Sequence, residues 1–244
     1  MNQPSPSSNQ LLATLAHDDF ALLRPHLTYV QLNQQTVIQE AESPIEHVYF
    51  VLQGMVSIVA VFEADMAIEI AGIGREGAVG TKIGFHPQLA FARALVQLPG
   101  TALRMGLEKF QHAARQSLAI THLATCANDV MTANVQQSAA CNVSHELEQR
   151  LARWLLHARD RADSDTLPLT QEFLSQMLGV RRTTVTLAAH ALQELGVVKY
   201  RRGTLQIVNR EALEAMSCGC YRTVRRNVEL ILQTAKLATD VRGR

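Results

Sequence analysis

Two periods of hydrophobic and polar residues follow one another along the chain. From 28 to 105 the apolar positions fall in short runs rich in β-branched residues: 29–32, 36–38, 47–52, 55–62, 66–70, 92–97 and 101–105. Turn signals separate them at Glu42-Ser43-Pro44, Gln53-Gly54, Glu63-Ala64-Asp65 and Leu98-Pro99-Gly100. Short runs at this spacing predict a small antiparallel β-barrel of about 80 residues. Leu12, Leu15, Ala16, Leu22 and Leu23 predict short helices ahead of it. Residues 1–10, mostly Asn, Gln, Pro and Ser, read as disordered.

After the barrel the period lengthens. Residues 108–142 hold neither Pro nor Gly, which predicts a long helix, broken if anywhere near its start. Its apolar positions, Ile120, Leu123, Ala127 and Val130, continue as Asn134, Gln137 and Cys141. This 3–4 spacing has the form of a coiled-coil seam. A single barrel offers such a length little to cover, so pairing with a twin helix is expected, Asn134 and Gln137 setting the register. The other reading is a helix laid across its own subunit. A further helix over 143–162, capped by Ser144, would bury Leu147, Leu151, Trp154, Leu155 and Ala158. A last helix over 221–236 would turn Val224, Val228, Ile231 and Leu232 inward and leave Arg222, Arg225 and Arg226 solvated.

Residues 169–196 are the most informative stretch. Thr170 suits an N-cap, and Phe173, Leu174 and Met177 form one apolar face. Leu178-Gly179-Val180 makes a corner, Gly179 supplying the left-handed backbone. A second helix from about Arg181 to Glu194 buries Val185, Ala188, Ala189 and Leu192, and Gly196 ends it. That is a helix-turn-helix. The second helix exposes Arg181, Arg182, Thr183, Thr186 and His190. Arginine grips guanine O6 and N7 with two bonds, and threonine meets phosphate or a thymine methyl, so Arg181, Arg182, Thr183 and Thr186 are candidate base readers. Two arginines oppose the helix dipole at this end, a cost that a phosphate would relieve. Two short strands, 197–200 and 204–208, flank Arg201-Arg202-Gly203, giving a hairpin with a basic tip, a wing suited to backbone phosphates.

Charge agrees with this reading. Residues 1–142 carry 7 Lys+Arg against 11 Asp+Glu, and residues 143–244 carry 16 against 11, so −4 faces +5. A basic C-terminal part suits a polyanionic partner. With 47% hydrophobic and 18% charged residues the chain is globular. No run of apolar residues is long enough to span a membrane. The first ten residues have no basic or apolar signal region, which points to the cytoplasm.

Barrel, long helix, helix-turn-helix and wing together resemble the cyclic-AMP receptor protein / fumarate-nitrate regulator (Crp/Fnr) family of bacterial transcription regulators. The resemblance implies an α+β chain: a cyclic-nucleotide-binding-like sensor barrel over 1–108 and a dimerisation helix over 109–142. A winged helix-turn-helix over 143–216 and a C-terminal helix and tail over 217–244 complete it. It implies double-stranded palindromic DNA, a second copy of the chain and RNA polymerase as partners, and no enzymatic activity. By the same alignment Thr170, Gln171, Thr184, His190, Arg201 and Arg202 fall on phosphate-contacting positions. The family's base-reading Arg-Glu pair and later Arg correspond to Arg182, Thr183 and Leu187, so its usual half-sites are not expected. The effector pocket would involve Glu76, Gly80, Thr81 and Arg93. Thr81 stands where cyclic-AMP binders have Glu, and Arg93 falls one place late, onto the other strand face. An unidentified effector, or none, is therefore expected in place of cyclic AMP.

Oxygen-sensing relatives hold an iron–sulfur cluster on cysteines near the N-terminus; here the first cysteine is Cys126, and no cofactor is expected. Cys218-Gly219-Cys220 reads as two thiols at a helix start and no metal site. A thiol- or metal-responsive site would need Cys141 or a histidine brought in by folding. His86 reads as a surface-loop histidine or a metal ligand. An enzyme using Glu76 and His86 as acid and base is the rival from another class.

Overall fold

The computed structural model describes residues 4–62, 67–84 and 88–240, with side chains to 236. The turn at Glu63-Ala64-Asp65 and His86 lie outside the described residues. A short helix α1 (His17–Leu23) precedes strands β1 (Thr28–Leu32), β2 (Val37–Gln39), β3 (His47–Val61), β4 (Ala67–Ile73), β5 (Ala78–Val79) and β6 (Arg93–Gly106). Helices α2 (Leu107–Gln116), α3 (Leu118–Ser144) and α4 (Leu147–Ala162) follow. Then come β7 (Thr166–Leu167), α5 (Gln171–Leu178), α6 (Arg182–Glu194), β8 (Val198–Arg201), β9 (Thr204–Ile207), α7 (Arg210–Met216) and α8 (Cys220–Asp240).

Two turns expected from the sequence are bends within continuous strands. Gln53-Gly54 lies inside β3 and Leu98-Pro99-Gly100 inside β6. The two strands pair antiparallel along their length, with register shifts between Val51 and Val56. Extra residues let a strand bend without giving up its partner. The bends divide the sheet. The first half of β3 pairs β5 and the second half pairs β4, while β6 meets β2 before its bend and β1 after it. Leu32, Val51, Val56, Ile58, Ile73, Val96 and Ala102 from both halves meet in one apolar core.

The N-terminal segment is ordered from residue 4, against expectation. Asn9 is fully buried: its amide donates to the carbonyls of Val51 and Gly77, both at 2.9 Å, and its Oδ1 accepts from Leu12 N at 3.0 Å. One polar side chain closing three backbone groups outweighs the composition of the segment.

The helix after the barrel breaks at Ser117, whose Oγ caps α3 by accepting from Ile120 N at 3.2 Å. α3 then runs to Ser144. Ser144 therefore does not cap the next helix, which starts at Leu147 behind an extended Glu146. The expected seam is turned inward. Ile120, Leu123 and Ala127 pack with Phe50, Leu103 and Phe110, and Val130 packs with the sheet and with Val224 and Val228 of α8. Asn134 is buried, and Gln137 donates to Cys220 Sγ at 3.0 Å. Six positions read as a dimer seam are thus satisfied within one chain. The reason is α8, which lies along α3 as a second helix would. The inward residues of α8 are those expected, Val224 and Val228 buried and Ile231 and Leu232 half-buried.

α4 is buried on more than one side. Leu151, Trp154, Leu155 and Ala158 are inside, as the spacing predicts, but so are Ala152, Arg153, Leu156, His157 and Arg161. It stands between Met55, Val59 and Leu98 of the sheet and the apolar face of α5 and α6. Among the described residues no helix is long and apolar enough to cross a membrane.

Candidate nucleic-acid interface

α5 begins where Thr170 Oγ1 accepts from Phe173 N at 3.1 Å. It ends at Gly179, φ 66°, with Val180 N returning to Ser175 O at 3.1 Å. This closed left-handed end sets the corner between α5 and α6. Val185, Ala188, Ala189 and Leu192 anchor α6 with 0–3% exposure. Arg181, Arg182, Thr183, Thr184, Thr186, Leu187 and His190 are all exposed. Every base-reading candidate therefore lies on one solvent-facing side of α6 or at its N-cap.

The side chains on this face have only weak partners. Arg182 lies 3.9 Å from Glu172, both well exposed, and His190 lies 3.5 Å from Glu194. Exposed pairs of this kind contribute about 0–1 kcal/mol and exchange readily for a phosphate. The Thr186 hydroxyl is 2.9 Å from both Gln171 Oε1 and Arg182 O, which ties α6 to the start of α5.

The wing is a three-stranded sheet in the order β7-β9-β8. Arg202 and Gly203 turn its tip with φ 47° and 78°, the double positive φ of a tight hairpin turn. Arg201 and Arg202 are exposed. Tyr200 fixes the wing to the helices: its hydroxyl donates to Leu169 O at 2.7 Å and its N–H to Gln193 Oε1 at 2.9 Å. A Cβ placed on Gly203 would sit 3.5 Å from Thr170 Cγ2, so the basic tip adjoins the N-terminus of α5. Thr170, Gln171 and the wing arginines form one neighbourhood.

Residues 149–216, from α4 through α7, match the Crp-like helix-turn-helix domain. This stretch is therefore a Crp-like helix-turn-helix domain. FixK2 from Bradyrhizobium japonicum is similar at 16% identity over 79% of this chain and 98% of that one, with a TM-score of 0.66. A Crp/Fnr-family regulator from Eubacterium rectale is similar at 15% identity over 86% and 98%, also at 0.66. The c-di-GMP responsive global regulator CLP of Xanthomonas campestris is similar at 16% identity over 79% and 99%, at 0.62. At such identities what is shared is the fold. No curated protein matches the chain.

The residues expected to form an effector pocket do not all meet at one point. Glu76 Oε1 accepts from Arg161 Nε of α4 at 2.8 Å and from Gly74 N at 3.0 Å. Arg93 turns the other way, its Nε donating to Glu40 at 2.8 Å. Thr81 is buried, and Gly80 holds φ 84° with His47 O packed where a side chain would go. Glu76 and Arg93 are thus each committed to a different protein partner. A cavity of about 310 Å³ lies between α4, α8 and the turn at Arg75, lined by Glu76, His157, Asp160, Arg225 and Glu229 among others.

Glu76 docks α4 on the sheet through Arg161. Arg161 also donates to Gly72 O at 2.9 Å, Arg75 pairs with Asp163 at 2.7 Å, and Trp154 Nε1 donates to Glu69 at 2.9 Å. Burial pushes the Glu69 carboxyl up, against the Ser57 and Trp154 hydrogen bonds that favour its charge. Burial likewise holds His157 well below the usual histidine range, with Arg161, Arg153 and Arg225 adding to the effect.

One grouping was only conditional in the sequence. Cys218 and Cys220 meet Cys141 from the last turn of α3 and His145 from the bend before α4. Cys141 Sγ lies 3.5 Å from Cys218 Sγ, and this contact, with Arg153 nearby, favours the thiolate at Cys141 and the thiol at Cys218. The four-residue spacing of Cys141 and His145, one helical turn, was the available sequence signal.

Proposed function

We propose that the protein works as a homodimer in which each α6 enters the major groove of one half of a palindromic site. The observation that carries this is the exposed N-terminal face of α6, two arginines and three threonines, beside a basic wing tip. Arg181, Arg182, Thr183 and Thr186 read bases. Thr170, Gln171, Thr184, His190, Arg201 and Arg202 hold phosphates. Half-sites sit one helical turn apart, about 34 Å.

The pairing surface is the outer side of α3. With the inner seam occupied by α8, the exposed stripe is Leu118, Thr125, Thr132, Gln136, Ala139 and Val143, with Leu118 66% and Val143 89% exposed. Their spacing of 7, 7, 4, 3 and 4 residues follows a heptad. RNA polymerase is the further macromolecular partner. Effector control acts through the docking of α4 on the sheet, which has two arrangements in this reading.

Selection of bound duplexes from a random pool tests the proposal. The expected product is a palindrome, and Arg182→Ala relaxes one position in each half by about 1–3 kcal/mol. An unchanged preference removes Arg182 from base reading, and an asymmetric site bound by a monomer removes the dimer.

A further inference from the structure

Four side chains without a role in DNA binding meet where the DNA-binding part joins the long helix. Cys141 belongs to the last turn of α3, His145 to the bend between α3 and α4, Cys218 to the bend between α7 and α8, and Cys220 opens α8. Their ligating atoms all lie within 4.8 Å of one another. Cys141 Sγ is 3.5 Å from Cys218 Sγ, and Cys220 Sγ is 3.7 Å from His145 Nδ1. A tetrahedral zinc ion with bonds of about 2.3 Å to sulfur and 2.0–2.1 Å to nitrogen separates its ligand atoms by about 3.4–3.8 Å. A four-iron cluster places its own irons and sulfides between the cysteines and needs a wider opening.

A second observation points the same way. Arg150 and Arg153 of α4 act electrostatically on Cys141, yet the Nε atoms of both are buried with no hydrogen-bond partner among the described residues. Arg153 is buried and Arg150 half-buried, the latter with only Nη2 bonded, to Leu178 O at 2.7 Å, and negative charge on the cluster lowers the cost of holding these guanidiniums there. A zinc ion held by three thiolates and one neutral imidazole carries a net charge of −1, and would compensate them.

We propose that Cys141, His145, Cys218 and Cys220 bind one thiophilic divalent cation of the zinc class in a closed tetrahedral site. Four protein ligands leave no open coordination position, which makes the site structural or sensory rather than catalytic. Gln137, donating to Cys220 Sγ at 3.0 Å, is a positioning residue for that ligand. The ion would join the end of α3, the start of α4 and the root of α8, and so fix the angle at which the helix-turn-helix leaves the long helix. Only this last consequence rests on the DNA-binding reading.

The test uses the full chain, reduced and stripped of metal, titrated with cobalt(II) and then zinc(II). The expected result is one cobalt per chain with thiolate charge-transfer and tetrahedral ligand-field absorption, bleached by zinc. Cys218→Ser and His145→Ala lose that spectrum, Cys126→Ser keeps it, and Gln137→Ala weakens zinc affinity about 10–100-fold. In the unmodified chain, which needs no variant to fold, zinc shields Cys141, Cys218 and Cys220 from alkylation and leaves Cys126 as it was. An unchanged cobalt spectrum in a Cys141→Ser/Cys220→Ser chain, or zinc that leaves Cys218 and Cys220 alkylated at the metal-free rate, overturns the site. DNA affinity is read separately, with and without zinc. Metal binding with equal DNA affinity in both states ends the hinge consequence alone, and absence of DNA binding in both states ends the proposed function but leaves the site intact.

Discussion

Replacing Glu76 with Ala tests the claim that this carboxylate docks the DNA-binding part on the sheet. Arg161 is 7% exposed at its side chain and Glu76 11%, with Nη2 and Nε of the guanidinium at 2.7 and 2.8 Å from Oε1. Removing the carboxylate leaves Arg161 buried with only Gly72 O, and leaves Gly74 N without its acceptor. Breaking a buried pair from one side costs about 3–5 kcal/mol, because the remaining charge stays desolvated. Against a total stability of about 5–15 kcal/mol, that is a large fraction. Glu76→Gln keeps an acceptor in place and loses less. A chain carrying both Glu76→Gln and Arg161→Met has no stranded charge and recovers part of the loss. Urea unfolding measures each step, and the cycle should show a coupling of about 0.5–3 kcal/mol. Because the pair joins α4 to the turn after β4, the single-residue loss should also broaden or split the transition as the two parts uncouple. A cost for Glu76→Ala below about 1 kcal/mol, or additive effects of Glu76→Ala and Arg161→Ala, would refute the reasoning.

Three further outcomes follow from the same geometry. Gly179→Ala puts a Cβ on a left-handed residue and 3.0 Å from Ile68 Cδ1, so it should cost about 1–2 kcal/mol in a urea titration; a neutral result would show that the corner relaxes freely. His157 is kept neutral by burial and by Arg161, Arg153 and Arg225, so the unfolded chain takes up its proton first as pH falls below about 6.5. Its contribution is complete above that pH and declines below it, and the slope of stability between about pH 7.5 and 5.5 should flatten in His157→Gln. Arg202→Ala should weaken DNA binding evenly across sequences and lower the salt slope by about one unit; a change confined to one base position would make Arg202 a base reader.

The DNA-binding surface was legible because each of its signals is local. Thr170 as a cap, Gly179 as a corner and the inward set Val185, Ala188, Ala189 and Leu192 depend on neighbours within a few residues. The bends of β3 and β6 were not legible for the opposite reason. Gln53-Gly54 and Pro99-Gly100 are turn residues by type, and only their mutual pairing across the sheet converts two turns into two bulges. Arg153, His157 and Arg161 of α4 are polar, so periodicity placed them outside. They are buried because the helix is covered by the sheet on one side and by α5 and α6 on the other.

The seam of α3 makes a sharper distinction. Spacing identifies which face of a helix leaves water, and it did so here: Ile120, Leu123, Ala127, Val130 and Asn134 are all inside. It carries nothing about what covers that face. The cover is supplied in cis by the barrel and by α8, whose Val224 and Val228 meet Val130. The same packing brings the start of α8 to the end of α3, and with it Cys218 and Cys220 to Cys141 and His145. A helix that read as a dimer stalk is therefore also the wall against which the C-terminal helix closes. The start of α8 touches the bend that carries the helix-turn-helix. The cysteine and histidine contacts are where a coupling between the two would pass, and DNA affinity of the intact chain with and without zinc is its measure.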